Sequence, residues 1–340
     1  MSASPILCAG ALLLVLLGTE PAPAQPRGQP TDLEKQAALI VPDFANVLRT
    51  LDPTKLESIT RAHDSAVQGY AKADNTVADA AFRLFWGFYN RSIGSVSCLA
   101  WGSAENALLA EVCSGTLRCP GRRVDDFLKS TTTTDNRRRA AAIATVARYR
   151  ASGIAFDYGE GDFYASPDPQ FVSGLAGQLP LGELAEWVRF WAAEQPQRLA
   201  EDAGLLVGWD DLRARLARWE AFAKAHPGLP ETETEVAPQV KSLVAWYVFG
   251  LDNSPAYDRR FGAAPAWTPR IDPKLKASYE TFLQENRGSA YYRVVEGIVA
   301  RVSKAGGAPT KDLVAFLHAE LTDPWLREWL RGTRLWLETR

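Results

Sequence analysis

The run Asp157-Tyr158-Gly159-Glu160-Gly161-Asp162 puts three carboxylates into six residues, and Phe163 and Tyr164 follow it directly. Two kinds of chemistry use such a set. Hard oxygen donors at alternating positions of a glycine-rich turn can ligate Ca²⁺, the one cofactor the run allows; no other is expected. A carboxylate held against aromatic rings can titrate high enough to act as an acid, or can hydrogen-bond a sugar stacked on a tyrosine. The Asp, Asn and distal Glu order of an EF-hand loop does not fit the run. Asp157, Tyr158, Glu160, Asp162 and Tyr164 are the candidate ligand-binding residues, set against the plainer expectation that carboxylates on a loop are solvated.

Other reactive residue types are scattered. The three histidines, His63, His226 and His318, lie far apart in the chain and read as ordinary surface or core histidines. No Gly-x-Ser-x-Gly elbow, His-Glu-x-x-His pair, P-loop or dinucleotide fingerprint occurs, so the motif content favours a non-enzymatic protein and no metal site. Within Cys113-Ser-Gly-Thr-Leu-Arg-Cys119, Gly115 can supply a turn, which makes Cys113 to Cys119 the expected disulfide in an oxidising compartment. A bridge closing so short a loop contributes roughly 2 kcal/mol. Cys98 is then expected as an inert, buried thiol. Arg137-Arg138-Arg139 opens an expected helix, where the dipole disfavours cations; the three are expected to meet carboxylates or solvent, with an anion site as the sharper alternative.

Residues 1–24 read as a secretory signal: an apolar run from Ile6 to Leu17 is followed by Ala22-Pro23-Ala24 ahead of Gln25. The run is too short to span a bilayer comfortably. Met1 to Pro5 holds no Lys or Arg, a departure from the usual basic start, and Cys8 lacks the small residues that precede a lipoprotein cysteine. The expected location is the periplasm or the medium. Lys and Arg number 38 against 40 Asp and Glu, and the pI is near 6.0, so no basic stripe argues for nucleic acid. Eleven Trp against one Met imply rigid aromatic contacts between packed elements.

The elements that must position these residues read as helices. After a polar tail at 25–30, which is expected to be disordered, Thr31 with Glu34 forms a capping box, and Pro42 ends or kinks that helix. Asp-Pro pairs at 52–53, 272–273 and 323–324 read as an N-cap with proline at the first helical position. Ala81, Leu84, Phe85 and Phe88 give one core face; Ala140, Ile143, Ala144, Ala147 and Ala151 give a small-residue stripe on a helix capped by Asp135. From 154 to 182 helical periodicity fails, and the segment reads as one long irregular loop, the usual setting of function. No strand-type alternation of useful length appears. The class is all-α, divided into an N-terminal helical region (31–153), the loop (154–182) and a C-terminal region of helical hairpins (183–340).

Three hairpins share a pattern. Phe127-Leu128 precedes Val146-Ala147-Arg148, Phe222 precedes Val244-Ala245-Trp246, and Phe282-Leu283 precedes Val299-Ala300-Arg301, each return helix closing near a glycine. The stretches Phe222-Ala-Lys-Ala-His-Pro and Phe282-Leu-Gln-Glu-Asn-Arg-Gly-Ser-Ala-Tyr-Tyr resemble the tetratricopeptide-like hairpins of exported bacterial proteins. The family's Trp-Leu-Gly-Tyr signature is absent, so no residue role carries over. The resemblance implies stacked helix pairs, superhelix-like, that present a concave surface. The expected function is a protein-interaction or scaffold module of the cell envelope, with a protein or envelope polymer as partner. The alternative is a carbohydrate- or small-ligand-binding protein, or a hydrolase, using residues 157–164. The final helix, with Trp325, Trp329 and Trp336 near one face, is expected to cap the array and not to lie on a membrane.

Overall fold

The computed structural model describes residues 29–96, 103–113, 118–119, 121–130, 136–159, 162–201, 203–257 and 269–338. The class is all-α, with short antiparallel strand pairs between helices. The chain divides into two compact units at Arg198 and Leu199.

The first unit opens with α1 (Asp32–Ile40), α2 (Pro42–Thr50), α3 (Leu56–Tyr70) and α4 (Asn75–Val96). The capping box at Thr31 and Glu34 forms as read, and Pro42 sits in the first turn of α2. Helix α4 is the centre of the unit and packs against α1, α2 and α3. Its buried positions Ala78, Ala81, Phe82, Phe85, Tyr89 and Val96 recur at three- and four-residue spacing, so one broad apolar face is covered along its length. Asp52 does not cap α3. Its Oδ1 accepts from the Thr54 backbone N–H at 2.9 Å and the Thr54 hydroxyl at 2.7 Å, making a turn that ends one residue before the N-cap, Lys55.

There follow α5 (Ser103–Val112), β1 (Arg118–Cys119), α6 (Gly121–Ser130), α7 (Arg137–Ala151), β2 (Ile154–Gly159), β3 (Asp162–Pro167), α8 (Pro169–Gln178) and α9 (Leu184–Glu194). The N-cap of α7 is Asn136, whose side chain accepts from the backbone of Arg138 and Arg139; Asp135, expected there, lies outside the described residues. The small-residue stripe of α7 is a misreading of its face. Ala142, Val146 and Tyr149 are buried, whereas Ala140, Ala144 and Ala151 are exposed. Covering Tyr149 removes more apolar area from water than covering any of the alanines, so the aromatic decides which side turns inward.

The irregular loop expected at 154–182 is instead a β-hairpin followed by a helix. β2 pairs antiparallel with β3 over six residues, from Ile154 opposite Pro167 to Gly159 opposite Asp162, and β1 adds a short third strand. Ile154, Ala155, Phe156 and Asp157 are all buried, so polar and apolar residues do not alternate and the strand carries no two-residue signature. Asp168 then caps α8, its Oδ1 accepting from the Gln170 N–H at 2.9 Å, with Pro169 at the first helical position. Trp187 and Trp191 of α9 close on Trp86 of α4, with ring centroids 5.4 and 5.0 Å away in edge contacts.

The second unit contains β4 (Ala200–Glu201), β5 (Gly204–Leu205), α10 (Trp209–Ala225), α11 (Ala237–Phe249), β6 (Gly250–Leu251), β7 (Ser254–Pro255), α12 (Pro273–Glu285), α13 (Tyr292–Lys304), α14 (Lys311–Glu320) and α15 (Pro324–Glu338). The hairpins α10/α11 and α12/α13 form where the pattern placed them. Asp272 and Asp323 cap α12 and α15 as read. The acidic segment between α10 and α11 is a π-helical turn, Thr232–Val236, preceded by a buried Glu231, and so is more structured than an insertion loop. α10 packs on α12, α13 on α14, α14 on α15, and α15 returns to α11, so the helices close into a ring. Among the described side chains of α15, Leu326 and Leu330 are buried, while Trp325 and Trp329 are half-buried; over these residues the leucines lead the docked face. Trp336's side chain lies outside the described residues.

Candidate functional site

The pairing of β2 with β3 decides how the candidate residues are arranged. Asp157 stands directly opposite Tyr164, and opposed residues of an antiparallel pair share a face, so these two belong together. Asp157 is buried, 7 % exposed, while Tyr164 is 37 % exposed. On β1 the position opposite Asp157 is Arg118. Tyr158 lies on the other face opposite Phe163, ring centroids 5.0 Å apart, and is half-buried. Glu160 and the side chain of Asp162 lie outside the described residues. Asp157 is therefore not a solvated loop carboxylate, and the described pair from the candidate set is Asp157 with Tyr164. No group of three or more metal-ligating side chains occurs among the described residues.

Two residues that no sequence signal marked complete this face. Arg198 donates to the Tyr158 carbonyl, and its guanidinium carbon stands 5.7 Å from the centre of the Tyr164 ring. Asn106 of α5 accepts from the Phe163 N–H at 3.1 Å, fixing the hairpin against that helix. A guanidinium over a tyrosine face is worth about 0.5–1 kcal/mol at an exposed site. It also sets a flat donor array beside an aromatic surface, with a buried carboxylate in the same strand face. Such a group can stack and hydrogen-bond a planar or ring-shaped polar ligand.

The base of the hairpin is held by a buried polar network. The Tyr89 hydroxyl donates to the Gly153 carbonyl and accepts from the Asp168 N–H at 3.0 Å. Arg150 forks onto Asp125 through two bonds of 3.0 Å, reaches Asp168 at 2.6 Å and donates to the Ile154 carbonyl at 2.9 Å. Burial acts to lower the Arg150 pKa, but hydrogen bonds and charge from Asp125 and Asp168 outweigh it, so the net shift is upward. The Asp168-Pro169 pair carries the same helix-start signal as 272–273 and 323–324 and could have placed this network's acid. Tyr89 and Arg150 carry no such mark.

The remaining candidates stay apart. His63 stacks near Phe171 at 4.9 Å, His226 ends α10 against Phe222 at 4.5 Å, and His318 lies on α14. Arg139 binds Glu111 through two bonds of 2.7 and 2.8 Å, whereas Arg137 and Arg138 are exposed. Cys113 is buried at the end of α5; Cys119 lies on β1, in register with Phe156, and Cys98 is outside the described residues. An open groove of about 320 Å³ runs between α3 and α7, bridged by Arg148 and Glu57 at 2.7 Å, both of them well exposed. No helix among the described residues is long and apolar enough to cross a membrane.

Fold and site thus define an all-α protein with a buttressed β-hairpin in its first unit. No protein-family model matches the chain, nor does any curated protein or solved structure.

Proposed function

We propose that the protein is an exported, non-enzymatic interaction module that binds another protein or an envelope polymer through its outer helix surfaces. The observation that carries this reading is the exposure of Leu39 (83 %), Ile40 (46 %) and Val47 (38 %). Three of the five large apolar side chains exposed among the described residues thus fall between positions 39 and 47, on α1 and α2. Isolated exposed apolar residues are ordinary, but a local concentration is what contact surfaces carry. The apolar run Ile6–Leu17 and the small residues before Gln25 support export, and the pairs α10/α11 and α12/α13 support the likeness to tetratricopeptide-like hairpins. In that compartment Cys113 and Cys119 pair; their six-residue separation and the burial of Cys113 support this. The test is affinity capture from envelope extracts with the wild-type chain and with Leu39→Asp/Val47→Asp. The reading expects a reproducible partner that the folded variant loses. Capture of nothing, or equal capture by both, overturns it.

A second reading rests on the face built from Asp157, Tyr164 and Arg198: a carbohydrate- or small-ligand-binding protein, or a hydrolase with Asp157 as its carboxylate. What favours it is the guanidinium 5.7 Å from the centre of the exposed Tyr164 ring. Titration with envelope oligosaccharides, followed by tryptophan fluorescence, expects a saturable change that Tyr164→Ala abolishes. A flat response across neutral and acidic saccharides rules this reading out.

A further inference from the structure

The open groove between α3 and α7 brings hydrocarbon, unpaired hydroxyls and an unpaired cation together. Leu56 and Thr60 stand one turn apart on α3, as do Glu57 and Arg61, and Arg148 stands one turn before Ser152 at the end of α7, so each helix turns one face to the groove. Leu56 and Ala151 supply hydrocarbon. Thr60 and Ser152 add hydroxyls, and neither hydroxyl bonds another group among the described residues. For Ser152 this is unusual, because it is 4 % exposed and a buried hydroxyl ordinarily has a partner. Two arginines against one glutamate leave the lining with one net positive charge. Arg61 is exposed and forms no ion pair among the described residues. Arg148 meets Glu57 at 2.7 Å, but both side chains are 63 % exposed, and a pair so exposed holds its members weakly. Glu57 also has its own backbone N–H, which together with the Arg148 guanidinium holds its carboxyl below the usual range, so it can release Arg148 and keep a partner.

We propose that this groove binds a small monocarboxylate with a hydrocarbon body, of the kind a medium-chain fatty acid provides. The carboxylate answers the net charge of the lining, with Arg61 as its first partner and Arg148 as its second once Glu57 yields. The hydrocarbon covers Leu56 and Ala151, and the hydroxyls of Thr60 and Ser152 are donors within the same groove. At about 320 Å³ the space lies at the lower end of small-molecule sites, roughly 300–1,000 Å³, so the body is short. An inorganic anion leaves the hydrocarbon uncovered, and a neutral alcohol leaves Arg61 unpaired; a ligand with both parts satisfies both. No residue of the Leu39, Ile40 and Val47 surface or of the Asp157 and Tyr164 face lines this groove, so the inference depends on neither functional reading above.

The test is calorimetric titration of the full chain with hexanoate, octanoate and, as the neutral counterpart, octanol. Octanoate should bind saturably and more tightly than hexanoate, by up to about fourfold for each added methylene. Arg61→Gln and Arg148→Gln should each weaken octanoate by about two- to fivefold and leave octanol unchanged. Glu57→Gln removes the carboxylate that competes for Arg148, so it should tighten octanoate by a similar factor; a side chain with a purely structural role gives no such gain. All three side chains are exposed, so these substitutions do not put folding at risk. Arg49→Gln, on α2 and outside the groove, should bind as wild type does. Absence of a saturable response overturns the proposal, as does octanol, acetate or inorganic phosphate binding as tightly as octanoate. Wild-type affinity in Arg61→Gln overturns it too, since octanoate taken up by the apolar run Ile6–Leu17 would not respond to that change. So does weaker binding in Glu57→Gln.

Discussion

Only Ser152 and Gly153 separate α7 from β2, and Gly153 makes the turn with φ at +77°, a value that L side chains resist. An added Cβ would also come within 2.2 Å of the Phe171 ring. Gly153→Ala should therefore cost about 1–2 kcal/mol from the backbone alone, and more for displacing a ring packed against Phe85 and Tyr89. A urea midpoint equal to wild type would refute this. Tyr89 is fully buried, and its hydroxyl bonds both the Gly153 carbonyl and the Asp168 N–H, reinforcing the direct bond between them at the two ends of the hairpin. Tyr89→Phe keeps the ring and removes one partner from each backbone group, but the Asp168 N–H still donates to the Gly153 carbonyl at 3.1 Å, so a loss of about 0.5–1.5 kcal/mol is expected. Amide exchange at Asp168 should accelerate with it; unchanged exchange would mean that the direct bond to the Gly153 carbonyl holds this end of the hairpin without the hydroxyl. Neither role was legible in the sequence. A tyrosine on an apolar helix face announces a core position, and only the fold shows what its hydroxyl meets.

At the scale of elements, legibility followed the size and the spacing of what each element buries. Helix α4 was readable because large apolar residues repeat on one side, and α12 and α15 because Asp-Pro states a cap. The hairpin β2–β3 was not, since a strand covered on both faces loses its alternation and its glycines look like a loop. That error matters for function. Of the candidate residues, Asp157 is a buried strand residue facing the exposed Tyr164, while Glu160 and the Asp162 side chain lie outside the described residues. Among the caps, Asp323 also carries a measurable charge. Burial pushes its pKa up, but the Lys241 ammonium at 2.7 Å and the N–H groups of Leu326 and Trp325 pull it further down, and the net shift is below 3.8. A carboxylate depressed in the folded state stabilises fully above its unfolded pKa, and that contribution is lost as pH falls through the folded value. Asp323→Asn retains a capping oxygen without the charge. The variant should be less stable at neutral pH by about 0.5–1 kcal/mol, and its stability should fall less than that of wild type between about pH 5 and about pH 2. Parallel pH profiles for the two proteins would show that the ion pair contributes nothing.

Across the unit from residue 199 onward, the repeat pattern specified the helix pairs but not how the series ends. Each hairpin supplies an apolar stripe to its neighbour, and in an open stack the last helix answers only to the one before it. Here α15 contacts both α14 and α11, so its two buried leucines serve two neighbours far apart in sequence. Closure of this kind depends on long-range packing that local periodicity does not encode. It makes a specific prediction for Leu326→Ala/Leu330→Ala. Each truncation of a core leucine costs about 2–5 kcal/mol, and the loosening should spread through both partners of α15. Hydrogen exchange should therefore quicken in α11, around Val240, Leu243 and Val244, as well as in α14 around Leu313 and Leu317, all of them buried. An open stack predicts loss of protection in α14 alone, with α11 held by α10. Full protection of α11 in the double variant would show that α15 caps an open array and closes no ring.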